Sequence, residues 1–353
     1  MADGDIGALA AIEGQLGLRR PVFGRSFVHM ERWLIANRAI LARIAPRRWR
    51  SGDLPRLDIS LSDWLRARRA GGSSRLPLSC CALYEGRRSR RGFYLGRGLT
   101  IKLLPPEAPS EQLQRDVEAR TLVAASGRLN VPKILMSGVV NDRAFLVEQL
   151  ITGHHPAAAQ EQRIVDALVP AIWATYQALG FGTADTFLDL TAEAIQSELE
   201  RVCVPEQMAY ERACRDELLR RLRQLPSTVE QPLVTAFGHG DLSTGNIIVT
   251  DSGDLFVIDW ETSGRMPIVW DLRKLISAVP GLLSRVVQLL RAELRQPGLR
   301  EAMSAENQCL IGLAARVAER SRKAHRRGLS LSDHKTLREL RRVGHCLRAD
   351  ALE

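Results

Sequence analysis

Three polar side chains lie at short spacing in one stretch of the chain, residues 237–261. Asp241 and Asn246 are five residues apart in a run that favours a loop, and Asp259 ends an apolar run further on. Carboxylate and amide oxygens are ligands that Mg²⁺ takes in proteins, together with waters and substrate phosphates. A carboxylate that holds no metal can instead orient a hydroxyl group and accept its proton. The spacing therefore indicates a metal-and-base site.

Two short apolar runs must position these side chains. Ile247–Thr250 and Leu255–Ile258 favour β-strands, and the residues between them, 251–254, favour a turn. The pattern predicts a hairpin that begins just after Asn246 and ends just before Asp259. Since the two ends of a hairpin lie side by side, the amide and the carboxylate are expected to converge.

A lysine inside an apolar run marks a second part of the expected site. Lys102 interrupts the predicted strand Leu99–Leu104, and lysine is rarely buried without a partner. The helix predicted over Ser110–Ala125 carries Glu118, which can reach back to the ammonium group and hold it ready for a phosphate. The alternative, a lysine on the solvent face of an alternating strand, is disfavoured by the stretch 237–261.

The composition is that of a globular protein with a sizeable core. The 353 residues suffice for two or three domains, and 45% of them are apolar and 25% charged. No apolar run is long enough for a transmembrane helix, and the acidic first residues do not resemble a signal peptide, so a cytoplasmic location is expected. The six cysteines show no zinc-type spacing, which favours reduced thiols.

The net charge of +10 is concentrated at the two ends of the chain. Residues 1–100 carry 19 basic and 8 acidic residues, and residues 281–353 carry 15 and 8. No nucleic-acid-binding motif accompanies this charge, so nucleic acid is not expected as a partner. Contact of the basic ends with a membrane surface stays open, and the sequence does not indicate an oligomeric state.

The order of predicted elements divides the chain into three parts. Residues 1–65 are expected to form a mostly helical N-terminal extension, with helices over Phe27–Ile44 and Ser62–Arg69. Residues 66–150 alternate strands with one helix, and residues 151–353 are mostly helical. The predicted fold class is therefore α+β, with a small β-rich N-lobe and a larger, mostly helical C-lobe.

The run His239-Gly-Asp-Leu-Ser-Thr-Gly-Asn246, with Ile258-Asp-Trp-Glu261 after it, resembles the signature of aminoglycoside phosphotransferases and their relatives. These relatives include choline, ethanolamine, homoserine and sugar kinases. The resemblance extends from about Leu76 to the C-terminal helices and implies a two-lobed protein-kinase-like fold. It also implies phosphoryl transfer from ATP with Mg²⁺, in which the protein mainly positions the groups and offsets charge.

The resemblance assigns a role to each residue of the predicted site. Asp241 would orient the acceptor hydroxyl and accept its proton, while Asn246 and Asp259 would bind Mg²⁺. Lys102, held by Glu118, would contact the α- and β-phosphates of ATP.

The same resemblance implies supporting roles. The segment from Glu148 to Leu150 would be a hinge whose backbone meets the adenine. His239 would brace the catalytic loop. Asp271, which the residues after Pro267 place as a helix N-cap, would be a structural cap behind the site.

One part of the family's pattern is missing from this sequence. No GxGxxG loop precedes Lys102, and the candidates are the arginine-rich Gly86–Gly92 and the earlier Gly71–Ser74. A loop of arginines can hold phosphates through guanidinium contacts, or the site has lost its grip on the nucleotide. All the groups needed for metal and base are present, which favours an active enzyme over a pseudokinase scaffold.

The acceptor is left open among several hydroxyl compounds. In the family, the acceptor pocket forms from the helices before the catalytic loop and from the C-terminal helices. Here residues 153–235 carry 12 acidic against 7 basic residues, whereas the last helices are basic. Charge therefore does not choose between a sugar, an amino alcohol and an aminoglycoside, and a sugar on a lipid or polysaccharide carrier is an alternative. A protein substrate is disfavoured because no activation segment follows Asp259.

Overall fold

In the computed structural model, the chain forms two compact units. The first contains Met1–Ala124, Asn130–Pro156 and Gly245–Glu261, and the second contains Ala125–Leu129, Ala157–Thr244 and Thr262–Glu353. The structure describes residues 3–18, 25–30, 33–35, 73–76, 78–80, 82–85, 89–156, 161–184, 192–225, 231–279, 281–328 and 334–349.

Antiparallel strands form the main layer of the first unit. They are β1 (Arg25–Met30), β2 (Trp33–Ile35), β3 (Ser73–Leu76), β4 (Ala82–Glu85), β5 (Arg90–Tyr94), β6 (Leu99–Leu103), β7 (Ile134–Val140) and β8 (Arg143–Gln149). Within the described residues the strand order is β3-β1-β2-β4-β5-β6-β8-β7. Strand β6 lies between β5 and β8, so residues on it are flanked by backbone on both sides.

An N-terminal helix, α1 (Asp3–Gln15), packs its apolar residues onto this sheet. Leu9 and Ile12 are fully buried in one core with strand residues such as Leu83, Ile101 and Phe145. Removal of this apolar surface from water is the main favourable term in the docking of the helix.

Two buried carboxylates also tie α1 to the sheet unit. Glu13 accepts hydrogen bonds from the Ser79 amide and the Tyr94 hydroxyl, each over 2.8 Å. Asp5 forms ion pairs with Arg143 and Arg90. Although burial opposes ionisation of Asp5, the two arginines hold its pKa below the ordinary value. The first helix is therefore an integral part of the unit.

The helix α2 (Glu111–Ser126) covers the sheet next to β6. Leu113 on this helix packs against Leu104 and Leu146 in a second small core. The face of α2 that turns toward the sheet carries two charged residues as well, Asp116 and Arg120, both about 2% exposed.

The predicted hairpin is confirmed within the first unit. Its strands are β11 (Ile247–Val249) and β12 (Leu255–Val257), and Ile247 pairs with Val257 in the antiparallel register. The Ile258 amide donates to the Asn246 carbonyl oxygen over 3.0 Å. The end of one strand is thus fixed against the beginning of the other.

Helices make up most of the second unit. They are α3 (Glu161–Arg163), α4 (Val169–Leu179), α5 (Ala192–Glu200), α6 (Ala209–Leu222), α7 (Ile268–Ile276), α8 (Leu282–Glu293), α9 (Ala305–His325) and α10 (His334–Ala349). A π-helical segment, Ile164–Leu168, joins α3 to α4. Strand β10 (Leu233–Gly238) lies between β13 (Gly264–Pro267) and β9 (Gly182–Ala184).

The α+β fold class predicted from the sequence is confirmed by an antiparallel sheet followed by a mostly helical region. The helix predicted over Phe27–Ile44 is wrong, because β1 and β2 occupy part of that range and pair with each other. Aromatic and β-branched residues there suit strand pairing, which outweighs the helical period. The helix expected over Ser62–Arg69 lies outside the described residues. The domain boundaries at residues 65 and 150 stay a prediction.

None of the helices described in the structure is long and apolar enough to span a membrane.

A close contact between α9 and α7 gives a stability test. A methyl group at Gly312 would lie 2.9 Å from the Val269 Cβ and 3.0 Å from its carbonyl oxygen. Gly312→Ala should therefore lower the free energy of unfolding by about 1–3 kcal/mol, as overpacking does. Gly298→Ala, where a methyl group meets nothing within 4 Å, is the control. Urea denaturation measures both, and equal stability of the two variants would contradict the packing.

Candidate functional site

A buried ammonium group is the centre of the candidate site in the first unit. Lys102 on β6 is only 1% exposed. Its Nζ lies 2.8 Å from Glu261 Oε2, 3.3 Å from Asp116 Oδ2 and 3.8 Å from Asp259 Oδ1. Burial by itself lowers the pKa of Lys102, but these carboxylates outweigh it and raise the pKa above its ordinary value. The lysine is therefore held protonated.

The predicted ion pair between Lys102 and Glu118 is wrong, and Asp116 takes its place. Glu118 is exposed and accepts a hydrogen bond from the Gln114 side chain over 2.8 Å. Successive helical residues are rotated by about 100°, so two residues along α2 turn the side chain to the opposite face. The sequence identified the correct helix and missed the residue.

Asp116 continues into a chain of charges that ends on β8. Arg120 Nε lies 2.8 Å from Asp116 Oδ1, and its Nη1 lies 2.6 Å from Glu148 Oε2. The Glu148 side chain, predicted to belong to the hinge, thus lies within hydrogen-bond distance of α2. The Leu150 amide donates to the Gly98 carbonyl over 2.8 Å, so this N–H is already used. An adenine contact of the hinge backbone stays a prediction.

Asp259 is held in a backbone conformation that few residues adopt. Its φ angle is 66°, in the left-handed region, which aspartate tolerates better than most non-glycine residues. Such backbone costs energy and is retained where the surroundings fix it, often at functional sites. The turn directs the Asp259 carboxylate to the guanidinium of Arg91 and toward Lys102.

Arg91 belongs to the arginine-rich segment in which a phosphate loop was expected. The structure places it on β5, directly opposite Lys102 in the antiparallel register. Burial opposes its charge, but the carboxylates of Asp259, Glu148 and Glu261 raise the pKa of Arg91. Two cations on adjacent strands therefore meet one cluster of acids.

The donor set at the ends of the hairpin suits Mg²⁺. Asn246 is largely buried in the short 3₁₀ turn that leads into β11, and Asp259 follows β12. One amide oxygen and one carboxylate, completed by waters and phosphate oxygens, are a usual Mg²⁺ set. Among the described residues no group of three His, Cys, Asp or Glu side chains could hold a metal.

The loop that carries Asp241 is held from behind by Asp271 in the second unit. The Asp271 carboxylate accepts the His239 amide over 2.8 Å and the Gly240 amide over 2.7 Å. It also accepts the Tyr176 hydroxyl over 2.6 Å. Helix α7 begins three residues before Asp271, so the predicted N-cap role is wrong. The carboxylate instead accepts hydrogen bonds from amides of the loop, which, like the first amides of a helix, have no acceptor within their own secondary structure.

Two glycines allow the loop to pack closely against Asp271 and Thr262. A Cβ atom at Gly238 would lie 2.7 Å from an oxygen of Asp271. At Gly240, where φ is +81°, a Cβ atom would lie 2.2 Å from the Thr262 carbonyl oxygen. Only glycine fits either position without a rearrangement of the loop.

His239 contacts the backbone of the residue that is expected to act as the base. Its buried ring accepts the Asp241 amide at Nδ1 over 3.2 Å, which places the ring proton on Nε2. Its carbonyl oxygen accepts the Thr262 hydroxyl over 3.0 Å. These contacts lie where bracing of the loop requires them, and the role itself stays a prediction.

The Asp241 carboxylate contacts Lys274 of helix α7. The Asp241 side chain is 45% exposed and the Lys274 side chain 14% exposed. The base candidate is thus partly open to solvent and also contacts a mostly buried cation.

Sequence reasoning did not assign a site role to Asp116, Glu261, Arg91 or Lys274. For Asp116 a signal exists, since it shares the inward helical face with Leu113 and Arg120. Glu261 lies in the motif that contains Asp259, and Arg91 lies in the arginine-rich segment before Lys102. The sequence does not show which side chains of these two segments face the lysine. Lys274 is 33 residues from Asp241, and its contact depends on the packing of α7.

Comparisons with known proteins agree with the resemblance seen in the sequence. Residues 82–304 match the model of a phosphotransferase enzyme family. Solved structures that match the chain include an aminoglycoside phosphotransferase from Alicyclobacillus acidocaldarius (10% identity, TM-score 0.49, 77% of this chain and 90% of that chain). No curated protein matches the chain.

Two further solved structures are kinases. The choline kinase LicA from Streptococcus pneumoniae is 15% identical, with a TM-score of 0.45 over 76% of this chain and 91% of that chain. A choline/ethanolamine kinase family protein from Mesorhizobium loti is 16% identical, with a TM-score of 0.43 over 74% and 90%.

The charge chain of α2 supplies a matched pair of variants. Asp116→Asn removes a buried partner of Lys102, and we expect the free energy of unfolding to fall by about 1–3 kcal/mol. Glu118→Gln changes an exposed residue and should stay within about 0.5 kcal/mol of the parent. Urea denaturation separates the two. If the two variants lost equal stability, or if Glu118→Gln lost more, the assignment of Asp116 as the helical partner of Lys102 would be contradicted.

Proposed function

This chain belongs to the phosphotransferase enzyme family, and we propose that it transfers the γ-phosphate of ATP to a hydroxyl group of a small molecule, with Mg²⁺ as the metal. The observation that carries the proposal is the buried Lys102, whose ammonium meets Asp116, Asp259 and Glu261. A cation fixed in this way suits the binding of polyphosphate, because it is charged and oriented before the nucleotide arrives.

Asn246 and Asp259 are the residues that would hold Mg²⁺. When bound, Mg²⁺ supplies positive charge to the β- and γ-phosphate oxygens. In the free protein Asp259 faces Arg91 and Lys102, so its negative charge is balanced before any metal binds. A metal at this carboxylate would therefore compete with two protein cations.

Arg91 would contribute to phosphate binding, which a glycine-rich loop provides where the family's full pattern is present. Its guanidinium lies on the strand beside Lys102 and within the same acid cluster. Arg91 would bind a phosphate group, because a planar guanidinium can bind phosphate through two parallel hydrogen bonds.

Asp241 would orient the acceptor hydroxyl and accept its proton. Its side chain is partly exposed, which a group that meets substrate requires, while its backbone is held through His239 and Asp271. Positioning of the hydroxyl rather than covalent chemistry then supplies most of the acceleration.

The loss of the base candidate tests this function. Asp241→Asn should keep the fold and lower kcat by about 10²–10⁴-fold, the usual contribution of a general base. Asp251→Asn, in the exposed hairpin turn, should leave kcat unchanged. Both are measured as phosphoester formation by ³¹P NMR with a panel of sugars, amino alcohols and aminoglycosides. Turnover of Asp241→Asn at the parental rate would refute the assignment.

The nucleotide grip is tested separately from the chemistry. Arg91→Ala should weaken binding of Mg·ATP about tenfold, the equivalent of one lost charged contact of about 1.4 kcal/mol. Arg97→Ala, an exposed arginine just after the same strand, is the matched control. Isothermal titration calorimetry gives both dissociation constants. Equal affinity of the parent protein and Arg91→Ala for Mg·ATP would show that Arg91 pairs with Asp259 in the free protein and does not bind the nucleotide.

A further inference from the structure

The catalytic carboxylate candidate lies beside positive charge contributed by helices of the second unit. Lys274 of α7 contacts Asp241 directly. Its neighbour Arg273 is 2% exposed, with its guanidinium 3.5 Å above the Trp270 ring and 3.1 Å from Glu319. Neither residue is part of the motif that identifies the family.

Helix α9 adds further cations to the same cluster. Glu319 is shared by Arg273 (3.1 Å), Arg316 (3.2 Å) and Lys323. Because one carboxylate serves three cations, the group keeps a net positive charge.

Glu339 of α10 is shared in the same way. Arg316 lies 3.2 Å from it, Arg320 4.0 Å and Arg342 3.9 Å. The further acid close by, Asp271, accepts two amides and a hydroxyl of its own unit. Among the described residues the carboxylates near Lys274 are therefore outnumbered by cations.

The pKa of Lys274 responds to this surplus. The pKa of Lys274 is lowered to about 8, mainly by burial, and the charges of Arg316, Lys323 and Arg320 act in the same direction while Glu319 opposes the shift. A cation in such a place is stabilised by an additional negative charge, and a polycationic ligand would be repelled.

Resting on the function proposed above, we infer that the acceptor carries an anionic group, a carboxylate or a phosphate, next to the hydroxyl that is phosphorylated, and that Lys274 binds this group. Lys274 then determines specificity: it favours acidic hydroxyl compounds and excludes aminoglycosides and cationic amino alcohols. The acidic helices earlier in the chain do not alter this, because Lys274 is in direct contact with Asp241.

The test uses three sugars that share a ring and differ in charge: glucosamine, glucose and glucuronate. For the full-length protein with Mg·ATP, kcat/KM should rise from the cation to the neutral sugar to the anion, with at least about tenfold between the extremes. Lys274→Met should reduce this span to about twofold, mainly through a higher KM for glucuronate.

Lys335→Met is the matched control, since it removes one exposed lysine of α10 in the same unit. It should keep the full span of kcat/KM. A purely structural Lys274 would lower stability in urea and leave the order of the three sugars unchanged, which would overturn the inference. A preference for glucosamine would overturn it as well.

A binding measurement separates this inference from the proposed function. With the nucleotide site saturated by Mg·ADP, inorganic phosphate should bind the parent and Lys335→Met proteins and bind Lys274→Met at least about tenfold more weakly by calorimetry. This result without transfer to any sugar would support the inference and count against the proposed kinase. Equal phosphate affinity in all three proteins would refute the inference even if sugars are phosphorylated.

Discussion

A positive charge that is almost completely removed from water constrains the first unit. The transfer of an ammonium group into a protein interior costs several kcal/mol, and carboxylates must offset that cost. For Lys102 they come from distant parts of the chain: Asp116 from α2, and Asp259 and Glu261 from beyond β12. The sheet, its covering helix and the hairpin therefore cannot vary independently. Strand β6 is hydrogen-bonded to β5 on one side and to β8 on the other, so the backbone of Lys102 is fixed in the sheet.

In the second unit a buried carboxylate, Asp271, constrains the structure as Lys102 does in the first. Asp271 accepts hydrogen bonds from two amides of the loop that carries Asp241 and from the hydroxyl of Tyr176, and burial together with this carboxylate raises the pKa of that tyrosine well above its ordinary value. The geometry of this loop is thus fixed by hydrogen bonds to its backbone, and the Asp241 side chain remains partly exposed. Fixed backbone with an accessible carboxylate is the arrangement that preorganised catalysis requires.

The sequence predicted what local pattern determines. The alternation and turn residues of 247–258 gave the hairpin nearly to the residue, and the apolar run around Lys102 gave its strand. Prediction failed where partners come from elsewhere. Glu118 and Asp116 lie on one predicted helix, and the helical face that Asp116 shares with Leu113, rather than its distance along the chain from the lysine, decides which of them meets Lys102. The stretch Phe27–Ile44 has a helical period, yet the pairing of β1 with β2 and β3 makes its first residues a strand. Lys274 reaches Asp241 through the packing of a helix, which no local spacing reveals.

The first helix and first strands lie well before the part of the chain that matches the family, which begins at residue 82. A fragment trimmed to that match would lose β1, β2 and β3 and would leave β4 as an open edge, with unpaired N–H and C=O groups. It would also expose core residues that α1 covers, such as Leu83 and Ile101, and leave Arg90 and Arg143 without the Asp5 carboxylate. Such a fragment would tend to aggregate through edge-to-edge pairing, so the limits of sequence similarity are a poor guide to where this protein can be cut.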